Sequence, residues 1–312
     1  MGTTITLTVV ATSETVANTA LNAGFATVAE MERLFSSYRQ DSVLAQVNRA
    51  AGGEPVSVPG DFVTLALLAR KATEVSEGAF NPLVGPAVRL WGIPENPRVP
   101  DEAELTALRP LVSDPQGLAI DEFSHRVRLR EPGMALGYGG IAKGFTADKV
   151  TEVLQGHGIA GGIVAIAGDI RVFGTHPDGT PWRVGVRPPR EGEGSGPLAT
   201  LEMTGGAVST SGDYERFFEL DGVRYHHILD PRTLWPAKAG TVSVTVTAHS
   251  GALADALATA LFVMGPVEGL ALAERMPRVE ALFVDTTGTQ SATSGWPGTE
   301  FLREPPANGL RD

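Results

Sequence analysis

The chain has 312 residues, no cysteine, and 25 Lys plus Arg against 36 Asp plus Glu, a formal charge of −11. With 42% hydrophobic residues and a mean hydropathy of +0.02, it has the composition of a protein that buries a sizeable core, in one large domain or two closely packed lobes. The missing cysteine excludes disulfide scaffolds, thiolate metal sites and a cysteine nucleophile. An acidic balance without a basic run argues against a nucleic-acid partner. No apolar run of about 18 residues is free of charge, so no membrane span is expected. The start, Met1-Gly-Thr-Thr-Ile5, lacks the basic and apolar regions of a signal peptide. The expectation is a cytoplasmic chain, or an exported one if a leader once preceded Met1.

Thr3 to Val10 alternates Thr with Ile, Leu and Val, as a strand does. Ser13 is placed to cap an amphipathic helix running to about Phe35, with Val16, Ala20, Leu21, Val28, Met31 and Leu34 at helical spacing. A loop follows over Ser36 to Ser42, then a helix from about Asp61 to Ser76 that stops at Gly78. The Pro-rich stretch 92–100 reads as a loop and Asp101 to Leu108 as a short capped helix. Strands are expected at 126–130, 163–167, 170–174, 182–187, 198–203, 215–220, 223–229 and 241–248. Helices are expected at about 141–156, 250–264 and 266–275, and a flexible loop at 188–197. The mixture predicts a single α+β domain over 1–312. Its helical part, about 12–110, packs on a mainly antiparallel core at about 120–290, followed by a tail at 291–312.

Three segments carry chemistry. The stretch from Ser250 to Met264 is apolar nearly all round, so it marks a buried helix, and Asp255 is its only charge. A buried carboxylate needs a cation. Thr259, one turn further along the same face, would make a hard-oxygen pair suited to Mg²⁺. The alternative is a salt bridge to a nearby Arg beside the helix N-terminus. Second, Met134 to Phe145 is a glycine loop opening a helix, with Gly137, Gly139, Gly140 and Lys143 placed to approach an anion, or else an ordinary tight turn. Its Gly137-x-Gly139-x-x-Ala142 also imitates a dinucleotide fingerprint, but Asp169 stands farther on than the usual ribose acid at about 20 residues. Third, in Tyr225-His226-His227-Ile228-Leu229-Asp230-Pro231, one His of the pair faces inward and could act as a base or simply fill a structural place. Thr210 to Tyr214 reads as a donor-rich turn, Gly168 to Arg171 as a tight strand-to-strand turn, and Asp285 to Thr289 as a strand-ending turn.

Taken in order, these segments resemble the FAD:protein FMN transferases, the ApbE-type family formerly called thiamine-biosynthesis lipoproteins. The matching stretches are Met1-Gly-Thr-Thr, Ser37-Tyr38-Arg39-x-Asp41-Ser42, Gly78-Ala-Phe-Asn81-Pro-x-Val-Gly85 through Leu90-Trp91-Gly92, and Gly139-Gly-Ile-Ala-Lys-Gly144. They continue with Ala167-Gly-Asp-Ile-Arg171, Trp182-Arg-Val-Gly-Val186, Thr210-Ser-Gly-Asp-Tyr214, His227-Ile-Leu-Asp-Pro-Arg-Thr233 and Ala254-Asp-Ala-Leu-Ala-Thr259 through Gly265.

The resemblance implies an α+β fold particular to that family, FAD as donor and Mg²⁺ as cofactor. It implies transfer of the FMN moiety to a Thr hydroxyl of an acceptor protein, with release of AMP. Carried over by position, Asp255, Thr259 and the Gly140 carbonyl would hold the metal. Met1, Tyr38, Ala79, Phe80, Asn81, Lys143 and Leu229 would line the FAD pocket, and His227 would serve the transfer. Three positions depart from the family pattern: Gly137 and Asn81 stand where Asp is usual, and Leu234-Trp235 where Gly and an aromatic are usual. Tyr138 and Trp235 could stack on a flavin or fill a core. The lost carboxylates leave open a divergent member that hydrolyses FAD, uses a small-molecule acceptor or another nucleotide donor, or only binds flavin.

Overall fold

Ser13 opens the first helix as its position demands, its hydroxyl accepting the Val16 N–H at 3.3 Å. The computed structural model describes residues 3–190 and 196–297. Strand β1 (Ile5–Val10) leads into α1 (Glu14–Phe35), which buries Ala20, Gly24, Val28, Met31 and Leu34, the spacing of one helix face. Helix α2 (Val43–Arg49), capped by Ser42, and the short β2 (Val56–Ser57) precede α3 (Gly60–Val75). A 3₁₀ turn at Pro82–Val84 and helix α4 (Gly85–Trp91) follow, the latter closed by Gly92 at φ +64°.

Helix α5 (Glu102–Ser113) begins with a capping box between Asp101 and Glu104. It runs five residues beyond the expected end at Leu108, through Pro110, because its next turn buries Val112 on the same face as Leu105. Strands β3 (Leu118–Asp121) and β4 (Arg126–Leu129) form a small sheet with β2.

The core begins with α6 (Ala142–Gly156), β5 (Gly161–Ile166), β6 (Asp169–Phe173), β7 (Trp182–Val186) and β8 (Ala199–Met203). Next come β9 (Gly205–Gly212), β10 (Phe217–Leu220), β11 (Val223–His226) and β12 (Thr241–Ala248). Helix α7 (Gly251–Ala273), β13 (Glu280–Asp285) and β14 (Gln290–Ala292) complete it.

Seven strands make one antiparallel sheet in the order β1-β5-β6-β9-β12-β13-β14. Helix α7 lies on β12 and β9, and its face is filled by Val244 and Val246 against Leu257, Leu261 and Phe262. The opposite face is covered by the β7–β8 hairpin, where Trp182, Val184 and Leu201 pack on Val172, Val208 and Leu282. Both faces are therefore buried, which is why β12 is apolar or hydroxylic at every step.

Several expectations change here. Thr210 to Gly212 is the end of central strand β9, not a turn; Ser209 and Ser211, opposite Val246 and Val244, are small enough to let α7 lie close. The helices expected at 250–264 and 266–275 form one stretch broken at Gly265 (φ 83°, ψ 173°) before Pro266. At 23 residues α7 is long and apolar enough to cross a bilayer by length and composition, and most of its apolar window is buried inside this fold. The stretch expected to open a tail contributes β14, with Thr293 and Trp296 buried. The turn at Asp285 to Thr289 is as expected, joining β13 to β14.

Candidate active site

Gly144 near the start of α6 and Gly251 at the start of α7 touch backbone to backbone; a Cβ on either would collide with the other's main chain. This crossing sets the first turn of α6 against Asp255 on the second turn of α7. Ile141, at the N-cap of α6, has no side-chain oxygen, so the Gly144 N–H needs an acceptor from elsewhere. Asp255 Oδ2 supplies it at 3.1 Å.

The carboxylate of Asp255 is 3% exposed. Burial and the nearby Asp169 carboxylate push its pKa up, and Lys143 opposes them. Lys143 Nζ is 3.5 Å from Asp255 Oδ1 and in closer contact with Asp169 Oδ2. The other oxygen of Asp169 accepts the Ser209 hydroxyl from β9. The partner of Asp255 is thus a Lys, not the Arg considered from sequence. One ammonium faces two buried carboxylates. Of the amides at the start of α6, that of Gly144 is committed to Asp255.

Thr259 lies one turn beyond Asp255, against the Cα of Gly140: a Cβ built at residue 140 would fall 2.5 Å from Thr259 Oγ1. Among the described residues Thr259 Oγ1 has no hydrogen-bond partner, whereas the threonines at 19, 27, 64, 73, 146 and 151 all bond the carbonyl four residues back. The Gly140 carbonyl, for its part, loses the N–H of Gly144 to Asp255. A buried carboxylate, a hydroxyl without a partner among the described residues and the glycine loop packed against it supply hard-oxygen donor types, the kind that fits Mg²⁺.

The second half of the site is built around Arg216. Its main-chain oxygen accepts the His227 N–H at 3.0 Å and faces His227 Nδ1 at 3.1 Å, while its guanidinium donates to Tyr38 Oη at 2.8 Å. A carbonyl only accepts, so Nδ1 carries the proton and Nε2 keeps its lone pair. Burial lowers the His227 pKa to about 4, with the Arg216 and Lys143 charges adding to the effect. The imidazole is therefore neutral and available as a base near pH 7. His226 behaves otherwise: its Nε2 meets the Ala237 carbonyl at 3.1 Å and its ring packs on Phe262. Of the two, His226 is the structural residue.

Tyr38 is 51% exposed on a loop pinned by Ser36, whose hydroxyl accepts the Tyr38 and Arg39 N–H groups. Ala79 and Phe80 are buried, and Phe80 N–H is held by Ser76 Oγ at 3.0 Å. Asn81 caps the 3₁₀ turn through Leu83 N–H and donates to the Val112 carbonyl at 2.9 Å. A carboxylate could not make that second bond, which gives Asn its reason at this position. Gly137 N–H meets the Pro82 carbonyl at 2.7 Å, so the glycine segment and the 79–85 segment run side by side.

Asn48 fixes this pairing from α2 with two bonds to the Leu136 backbone. Leu229 is buried with Trp91 and Leu234. Tyr138 is a core residue edge-on to Phe35 and Phe62, and Trp235 packs on Trp91, so both fill space in this fold. Leu234 carries φ +63°. Met1 lies outside the described residues.

Sequence reading missed four contributors. Asp169, read as a turn residue, a ribose acid or part of the matching Ala167–Arg171 stretch, is the first residue of β6 and holds Lys143. Ser209 lies between the segments read from sequence, and Arg216 lies in the strand expected at 215–220. Asp148 receives the Gly251 and Ala252 N–H groups and pairs with Arg171, so it caps α7 at the helix crossing. The available signal was the one that flagged Asp255: a carboxylate in an apolar setting needs a named partner.

The fold and site define a class: an α+β protein with an antiparallel sheet, a buried carboxylate–hydroxyl–carbonyl corner suited to a hard cation, and a neutral His nearby. The ApbE family model matches residues 1–283, and the chain belongs to the ApbE family. A Treponema pallidum protein named FAD:protein FMN transferase is 38% identical over 290 residues, 88% of this chain and 80% of the relative. A Klebsiella pneumoniae protein of the same name is 35% identical over 83% of this chain and 80% of the relative. A crystal structure of the ApbE protein from Thermotoga maritima superposes with a TM-score of 0.88 at 33% identity over 97% of both chains. The flavin transferase ApbE from Vibrio cholerae gives 0.81 at 34% over 94% of both. The antiparallel sheet removes the nicotinamide-binding alternative, which needs parallel βαβ units.

Proposed function

We propose that this chain transfers the FMN moiety of FAD to a Thr hydroxyl of an acceptor protein, with AMP as the leaving group. The observation that carries the reading is the buried Asp255 beside Lys143, with the Thr259 hydroxyl one turn further on packed against Gly140 of the glycine loop. Mg²⁺ bound at those oxygens would neutralise charge on the FAD diphosphate and on departing AMP. His227 Nε2 accepts the proton of the acceptor hydroxyl as its oxygen bonds the phosphorus of the FMN half. The phosphorus–oxygen bond to AMP breaks, and the electron pair leaves on AMP. Tyr38, Ala79, Phe80, Asn81 and Leu229 line the flavin side, with Lys143 toward the diphosphate.

The test is incubation with FAD, Mg²⁺ and an acceptor of the kind modified by the named relatives. AMP should appear in step with an FMN-sized mass gain on one Thr, and Asp255→Ala should stop both. A second reading, flavin binding without transfer, is favoured by Asn81, whose amide is committed to Val112 and Leu83. Stoichiometric flavin binding without AMP would select it, and AMP without a modified acceptor would indicate FAD hydrolysis.

A further inference from the structure

Lys143 reaches the carboxylate pair from the first turn of α6 on a flexible stem that is 29% exposed, while Asp169 and Asp255 are almost fully enclosed. Asp169 is held on its far side by Ser209, so its Oδ2 is left to the ammonium. Asp255 has one oxygen on the Gly144 amide and the other facing Lys143 at 3.5 Å. The ammonium thus faces the one Asp255 oxygen that the Gly144 amide leaves over, the oxygen an added cation would need.

We propose that Lys143 and a divalent cation exchange at this pair: an ion on Asp255 expels the ammonium, which swings to the exposed side. Asp169 is the positioning residue that parks Lys143 until then. The inference rests on the cation site at Asp255, Thr259 and Gly140 proposed above. Charge balance gives the direction. Counted with both carboxylates ionised, the cluster with Lys143 in place and no ion has a formal charge of −1. A dication added beside a retained ammonium reverses that to one positive charge, among like-charged neighbours only a few ångströms apart. Releasing the ammonium leaves two carboxylates and one dication in balance. It also presents a positive group at the opening when the site is loaded with metal, where an anionic diphosphate can receive it. Metal binding and the readiness of Lys143 for phosphate are then one event.

The test uses the full chain and Mg²⁺ alone, without flavin. Mg²⁺ binding is read by titration calorimetry in wild type and Asp255→Asn. Acylation of individual lysines is read by mass spectrometry, with Lys149, paired to Asp61 and Glu152, as internal control. The expected result is severalfold faster labelling of Lys143 with Mg²⁺, no change at Lys149, and faster Lys143 labelling in metal-free Asp169→Asn. Lys143→Met should bind Mg²⁺ severalfold more tightly than wild type, because no ammonium has to leave. Mg²⁺ binding that depends on Asp255 but leaves Lys143 labelling unchanged or slower would overturn the exchange and spare the cation site. Absence of Mg²⁺ binding would overturn both.

Discussion

Thr259 Oγ1 stands against the Cα of Gly140, so that a methyl group added at residue 140 would lie 2.5 Å from that oxygen. The contact joins the glycine loop to α7 and leaves no room for any side chain larger than hydrogen. Gly140→Ala should displace Thr259, weakening Mg²⁺ binding at least tenfold while costing about 1–3 kcal/mol of stability as local overpacking. Thr259→Val tests the same corner more cleanly, because its hydroxyl has no hydrogen-bond partner among the described residues. Its unfolding free energy should stay within about 1 kcal/mol of wild type while Mg²⁺ affinity falls at least tenfold. Calorimetric titration and urea melts check both.

Asp255→Asn should lose activity by about a hundredfold or more and yet fold normally. The Asn oxygen can still accept the Gly144 N–H, and the change removes one of two like carboxylates. Burial and Asp169 raise the folded-state pKa of Asp255, so its charge opposes folding at pH values above its unfolded pKa. Relief of that opposition should leave Asp255→Asn as stable as wild type or more stable near neutral pH. A loss above about 2 kcal/mol in a denaturant melt would assign Asp255 to helix capping instead.

His227 gives a pH prediction with a defined sign. Its folded-state pKa, lowered to about 4 by burial, lies below the ordinary value of 6.5. The unfolded chain therefore binds the proton first, and the stability His227 contributes is present above pH 6.5 and lost progressively between 6.5 and about 4. His227→Gln should flatten that part of the stability–pH curve and lower the transfer rate by about 10²–10⁴. The wild-type rate should show no His-like acid limb near pH 6.5.

Gly137→Asp should be accepted by the fold. A Cβ there would meet only the Gly85 backbone, at 3.5 Å, which is ordinary contact, and Gly137 has no positive φ. The resemblance places a flavin-contacting Asp at this position, so the variant should bind FAD more tightly than wild type in a flavin-fluorescence titration. An unchanged or weaker affinity would show that this pocket recognises its donor by other contacts.

Legibility in the sequence followed the physical range of each signal. Ser13, Asp101 and the apolar face of α1 act within one or two turns, so α1 and the start of α5 came out nearly to the residue. Asp255 and Thr259 were readable because a lone charge in an all-apolar helix breaks a local pattern. Strand β9 was not, since its Gly, Ala, Ser and Thr residues are dictated by how closely α7 packs, a tertiary demand with no periodic trace. Asp169 and Arg216 were unreadable for a related reason. Their partners, Lys143 at 26 residues' separation and Tyr38 at 178, are brought together only by the completed sheet and helix crossing. The resemblance supplied the ligand roles, while the uncommitted Thr259 hydroxyl and the parked Lys143 emerged only in three dimensions.

Diffraction from crystals grown with FAD and Mn²⁺ in place of Mg²⁺ tests the central claim most directly, through the anomalous signal of the metal. The account predicts one strong peak bounded by Asp255, Thr259 Oγ1 and the Gly140 carbonyl and in contact with the diphosphate, with Lys143 withdrawn from Asp255. Bound FAD with no peak at that corner, and Lys143 still against Asp255, would contradict it.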